Sequence, residues 1–113
     1  MFTLEEIQNL LSRQAFSLLS TDNNLYNEFA RQVTEIIKSK VSFDLNQPPQ
    51  WLIQPFVWIL EYLLLTKFSG QSAETIQMVK DRFDKAIILL DDYRHNYPLS
   101  SNIGKIDDAY EIY

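Results

Sequence analysis

The chain has 113 residues, 46% of them hydrophobic, with a net charge of -5 and no cysteine. That is enough apolar material for one domain with a core, and too much for general disorder. The acidic balance argues against a protein built around nucleic-acid phosphates or a polybasic membrane-surface binder, and the missing cysteines exclude disulfides, thiolate catalysis and cysteine-ligated metal.

Two glycines and four prolines suit a compact helical chain with few turns at positive φ. No basic stretch followed by an apolar run opens the sequence, so a secretory signal is not expected. Thr3 and Glu6 form a capping box, and Phe2 and Ile7 stand where a hydrophobic staple stands. Leu4, Ile7, Leu10 and Leu11 continue one apolar face, which predicts a helix over residues 3–13. Phe16, Leu18 and Leu19 follow without a clear period and read as a turn tucked under the core.

Thr21, Asp22 and Asn23 are good N-cap types. After them Leu25, Phe29, Val33, Ile36, Ile37 and Val41 keep a helical period, with Glu28, Arg31, Gln32, Glu35, Lys38 and Ser39 opposite. An amphipathic helix over 23–41 is expected. Pro48 and Pro49 then force a loop. The next helix either begins near Ile53 or is kinked by Pro55. It ends near Ser69 and Gly70, a natural C′ glycine.

This third helix contains the run from Trp51 to Leu65, in which Gln54 and Glu61 are the only clearly polar side chains. A membrane span is disfavoured. Its length is marginal, and Glu61 at mid-bilayer would cost about 2.5 kcal/mol or more. A helix apolar on most sides is buried on most sides, so this is the expected central helix. Ser72 caps a fourth helix reaching about Tyr93 or His95, with Ile76, Val79, Phe83, Ala86, Ile87 and Leu90 on its core face.

The expected fold is therefore all-α: four main helices over residues 1–95, the third mostly buried, with residues 96–113 as an extended C-terminal tail or arm. In that tail Leu99, Ile103, Ile106, Tyr110, Ile112 and Tyr113 are apolar anchors suited to binding a partner.

Catalytic signals are sparse. His95 is the only histidine and reads as an exposed pair with Asp91. The doublets Glu5–Glu6, Asp91–Asp92 and Asp107–Asp108 cannot form dyads on helices, because adjacent residues do not share a face. Glu61 alone is a carboxylate in apolar surroundings. An acid role would need a partner base or nucleophile, and none is identifiable, so a buried hydrogen bond or an opening to solvent is expected. No catalytic residue, metal site or cofactor is expected. Trp51, Trp58, Tyr62 and Phe68 at helical spacing read as core before they read as a ligand pocket.

The fourth helix carries a second, weaker stripe: Met78, Arg82, Leu89 and Tyr93, with Ile88 outside among Asp81, Asp84 and Asp92. Such a stripe is either a contact with another chain or a surface covered by a loop or the tail.

The layout resembles the small helical head–tail connector (adaptor, or head-completion) proteins of tailed phages and Mu-like prophages. The resemblance covers residues 1–95. It rests on the start Phe2-Thr3-Leu4-Glu5, on Pro48-Pro49 leading into the apolar helix, and on Arg82, Phe83, Ala86, Ile87 and Leu90 in the last helix. The third helix departs from that family's small, alanine-rich and arginine-bearing character. The usual basic residue of the loop before it is also missing, where Gln47 and Gln50 stand.

The resemblance implies a structural virion protein, assembled in the host cytoplasm. It implies a ring, commonly of twelve copies, below a portal protein, with a stopper or tail-completion protein as the next partner. DNA would pass through without specific binding, and no membrane is involved. Met78, Arg82, Ile88, Leu89 and Tyr93 are then the candidate subunit interface, mated to part of the second helix of a neighbour. The alternative is a small non-enzymatic adaptor or regulatory module that binds one protein partner through its tail or an apolar groove.

Overall fold

The computed structural model describes residues 1–44, 46–68 and 70–96, with backbone alone for Asn23 and residues 94–96. The described residues are all-α. The expected tail anchors Leu99, Ile103, Ile106, Tyr110, Ile112 and Tyr113, and the side chain of His95, lie outside them.

The first helix is a single turn, α1, Leu4–Ile7, running on as a 3-10 turn over Gln8–Leu10. Its capping box is complete: Thr3 N–H donates to Glu6 Oε1 at 2.8 Å, and Glu6 N–H donates to Thr3 Oγ1 at 3.2 Å. Phe2 and Ile7 are both buried. The expected continuation to residue 13 is not made, because the backbone turns extended at Leu11. Ser12 instead caps a new helix, α2, Arg13–Ser20, accepting the Ala15 N–H at 3.2 Å. The segment read as a turn is therefore helical. Only Ala15 and Leu19 of α2 are buried, a face too narrow for a plain period, and the exposed Phe16 obscures it.

Asp22 caps α3, Asn23–Lys38, by accepting the Asn24 N–H at 2.9 Å. Phe29, Val33 and Ile37, four apart, form its buried stripe beside Tyr26. The helix stops short of residue 41. Backbone bonds from Ser39 to Glu35 and from Val41 to Ile37 close its last turn, and this still brings Val41 into the core.

A 3-10 turn at Gln50–Leu52 leads into α4, Ile53–Lys67. Pro55 is its third residue, where the missing N–H would have had no intrahelical partner. Eight α4 residues are buried: Pro55, Phe56, Val57, Ile59, Leu60, Glu61, Leu64 and Leu65. Gly70 follows at φ +95°, two residues past the Phe68 cap, in a conformation that disfavours any side chain. Ser72 then accepts the Thr75 N–H at 3.1 Å and opens α5, Ala73–Asn96.

α5 lies along α4, with Tyr62 stacked on Phe83 at 4.4 Å between ring centroids. α3 packs on another side of α4, where Lys67 Nζ sits 5.6 Å from the Phe29 ring centroid. α2 packs on both α3 and α4. Phe2 closes the N-terminal end, its ring edge-on to Phe56 at 5.3 Å. α4 is thus enclosed by the other helices, as its sequence predicts.

Candidate interaction surface

On α5, Val79, Ala86 and Leu90 are buried, and Phe83 and Ile87 pack partly against the core. Around the helix from that seam, Met78, Arg82, Lys85 and Leu89 follow at steps of four, three and four, so they share one flank. Met78 and Leu89 are exposed on it, and Ile88, further out, is the most exposed large apolar side chain among the described residues at 58%. An open groove of about 440 Å³ runs along the flank, lined by Glu74, Gln77, Met78, Asp81, Arg82 and Lys85.

One turn away from Ile88 in either direction stand Asp84, Lys85, Asp91 and Asp92, all exposed. Asp84 is paired with Lys80 at 3.2 Å, and Asp91 with Lys40 at 3.2 Å. Asp81 accepts from Gln77 Nε2 at 2.9 Å. Arg82, Lys85 and Asp92 have no ion-pair partner among the described residues. The flank therefore combines apolar side chains with uncommitted charge of both signs.

Tyr93, assigned to the same stripe by spacing, is only half-exposed. Its ring lies against Trp51, with centroids 4.3 Å apart and planes inclined at 31°. It belongs to the seam between the Gln50–Leu52 turn and α5 more than to an open face. The indole Nε1 of Trp51 is buried there and has no hydrogen-bond partner among the described residues. Trp58 and Phe68 likewise pack against the core, and Tyr62 stacks on Phe83.

Glu61 is 2% exposed. Its Oε2 accepts the backbone N–H of Ser12 at 2.6 Å. This completes a capping arrangement across the fold. In a local capping box the third helical residue supplies the carboxylate that satisfies the cap's own N–H. In α2 that position is Ala15, and Glu61 supplies the carboxylate from α4, at the positive end of the α2 dipole. The buried hydrogen bond expected of Glu61 is present, and its role is to hold α2 in place.

Two apolar residues expected to face inward do not: the sequence pattern places Leu10 on the apolar face of the first helix and Phe16 under the core. Leu10, in the 3-10 turn, and Phe16, on the outer face of α2, are both open to solvent. Arg13 lies one turn before Phe16 on the same exposed face and is the only charged residue between positions 8 and 20. Once Ser12 is known as a cap, Phe16 falls beside the narrow Ala15/Leu19 seam and not on it, but the sequence does not reveal that cap by periodicity. The outward face of α3, by contrast, is polar: Asn24, Asn27, Glu28, Arg31, Glu35 and Lys38 are exposed.

No protein-family model, curated protein or solved structure matches the chain. Among the described residues no helix is long and apolar enough to cross a membrane.

Proposed function

We propose that the chain is a non-enzymatic assembly subunit of the phage head–tail connector type. In this reading it joins copies of itself into a ring below a portal protein and receives a stopper or tail-completion protein on the other side. The protein then resides in the virion, assembles in the host cytoplasm, and lets DNA pass without specific binding. The observation that carries the reading is the α5 flank. Met78, Ile88 and Leu89 are exposed on a helix whose opposite side already anchors the core, which is what a surface reserved for another chain looks like. The connector-like start and last-helix pattern set the kind of assembly.

The mechanism is docking. Copies meet through apolar side chains on helix flanks, with rim charges setting register, and residues 97–113 supply a second contact to the neighbouring component. A module that binds a single partner through its tail or an apolar groove is the second reading, and the open groove beside Met78 and Arg82 is the surface it would use.

Light scattering across protein concentration tests the proposal, with and without residues 97–113. The connector reading predicts a discrete ring-sized mass, and Leu89→Asp is expected to abolish it while the chain stays folded. Rings that persist with Leu89→Asp would remove α5 from the interface. A 1:1 complex with one partner, and no larger species when that partner is a portal protein, would favour the single-partner module.

A further inference from the structure

The backbone leaves the helical region at a single residue between α2 and α3. Thr21, the C-cap of α2, is still helical at φ -78° and ψ -21°. Asp22, the N-cap of α3, is extended at φ -150° and ψ 118°. Among the described residues the other helix junctions are broken more thoroughly. Leu11 and Ser12 are both extended before α2, Pro48 and Pro49 stand before α4, and Gly70 at φ +95° follows the extended Phe68 before α5. Rotation of Asp22 alone into the helical region would therefore make residues 13–38 one helix, about 39 Å long. That helix would give the last free carbonyls of α2 to the first free N–H groups of α3, which now depend on caps.

The arm before this hinge, residues 1–21, is tied to the rest by contacts that a second copy can supply equally well. Ser12 N–H donates to Glu61 Oε2 at 2.6 Å, the Tyr26 hydroxyl donates to the Phe2 carbonyl, and the Phe2 ring meets Phe56 edge-on at 5.3 Å. Ile7, Ala15 and Leu19 of the arm are buried in the same core cluster. Tyr26, Phe56 and Glu61 all lie beyond the hinge, on α3 and α4. With the hinge straight, Ser12 would stand about 16 Å before Asn23 along the helix axis, carried away from its own Glu61.

We infer that the arm is exchangeable: by straightening at Asp22 it leaves its own core and docks, through the same contacts, in the vacated groove of a second copy. This rests on the assembly reading above for the meeting of copies, and adds a contact that does not use α5. The groove itself fixes the occupant. An open chain uncovers the Phe56 ring and a Glu61 carboxylate placed for a helix N-terminus, and the segment already fitted to both is the arm of another copy. Reciprocal exchange closes a dimer, and passing each arm to the next copy closes a ring. Local sequence keeps the free chain closed. Thr21, Asp22, Asn23 and Asn24 are cap formers and poor helix formers, and Asp22 Oδ1 accepts the Asn24 N–H at 2.9 Å. Exchange therefore needs high concentration, or a partner that holds copies together.

Two substitutions at the hinge of the full-length chain move this balance in opposite directions. Mass is read by light scattering and folding by circular dichroism. Asp22→Ala removes the cap and favours the straight helix, so self-association is expected to rise about tenfold. Asn23→Pro does the reverse. A proline fits the first position of α3 and keeps the preceding residue extended, as Asp22 is. Inside a continuous helix it would forfeit the bond to the Leu19 carbonyl and clash with it. Association through the arm should fall about a hundredfold.

A cross-link shows whose arm is bound. Glu5 on the arm and Asn27 on α3 are exposed and line one groove, and the chain has no cysteine. Glu5→Cys chains and Asn27→Cys chains, all carrying Asp22→Ala, are refolded together from urea and treated with a short bis-maleimide. A covalent link between the two kinds of chain is expected, and its loss when Asn23→Pro replaces Asp22→Ala. No link in the mixture, while both cysteine substitutions in one chain give an internal link, overturns the inference. Wild-type association that Asn23→Pro leaves unchanged also overturns it, and keeps the connector reading on α5. A linked dimer with no larger species supports the exchange and takes ring formation away from it, leaving the connector reading to be judged by portal binding.

Discussion

α4 and α5 lie side by side, yet folding uses them differently. α4 is buried around most of its circumference, including a carboxylate, and leaves little to offer a partner. α5 buries one seam and leaves the next stripe, apolar and charged, in water. The difference teaches where function can sit. A helix consumed by the core can be changed only at the cost of the fold, whereas a flank outside the core is open to recognition.

Substitutions can break this contrast or sharpen it. The largest effect is expected in α4. Leu60→Ala removes a fully buried side chain and should destabilise by about 2–5 kcal/mol in urea unfolding. A loss well below that range would mean α4 is not the enclosed centre.

Glu61→Ala comes next. It strips the Ser12 N–H of its acceptor inside the protein, an expected cost of about 2–3 kcal/mol. Glu61→Gln keeps a carbonyl acceptor and should cost less than half as much. Equal losses in the two variants would show that the hydrogen bond is not what Glu61 contributes.

Tyr26→Phe should cost about 1 kcal/mol near neutral pH, since its hydroxyl donates to the Phe2 carbonyl in a buried setting. Burial, and then the Glu6 carboxylate, push the Tyr26 phenol well above its ordinary value of 10.0. The sign follows. Below pH 10 the phenol is neutral in both states and its contribution is complete. Above pH 10 the unfolded chain gives up the proton first, so stability falls as pH rises toward the folded value. Urea midpoints between pH 9 and 11 should decline more steeply for the wild type than for Tyr26→Phe; parallel slopes would contradict the assignment.

The smallest effect belongs to the α5 flank. Ile88→Ser should change stability by no more than about 0.5 kcal/mol, yet weaken self-association. An association unchanged by Ile88→Ser would detach the flank from assembly.

Much of the fold was legible because strong local signals agreed with the tertiary answer. The Thr3/Glu6 box, the Phe29/Val33/Ile37 stripe, the apolar α4 and the Ser72 cap are all local codes. α2 was not legible. Its N-terminus is completed by Glu61, 49 residues away, and no pattern confined to one helix records such a bond. The flank was read from Met78, Ile88 and Leu89 because exposed apolar residues break the period of a long helix. Tyr93 shares their spacing, but only the fold places Trp51 against it. Leu10 and Phe16 were read as inward-facing and are exposed: the first helix tightens to a 3-10 turn before Leu10, and the Ser12 cap restarts the helical phase before Phe16.

The central claim is that the fold does not need the outward flank of α5. Its most direct test is thermal unfolding of Ile88→Ser beside Leu60→Ala, at a concentration where each is monomeric. Since about 1 kcal/mol moves the midpoint of a domain this size by about 4–8 °C, Ile88→Ser should melt within about 3 °C of the wild type, and Leu60→Ala well below both. Ile88→Ser falling as far as Leu60→Ala would contradict the account, because the flank would then be part of the core's support and not a surface held for another chain.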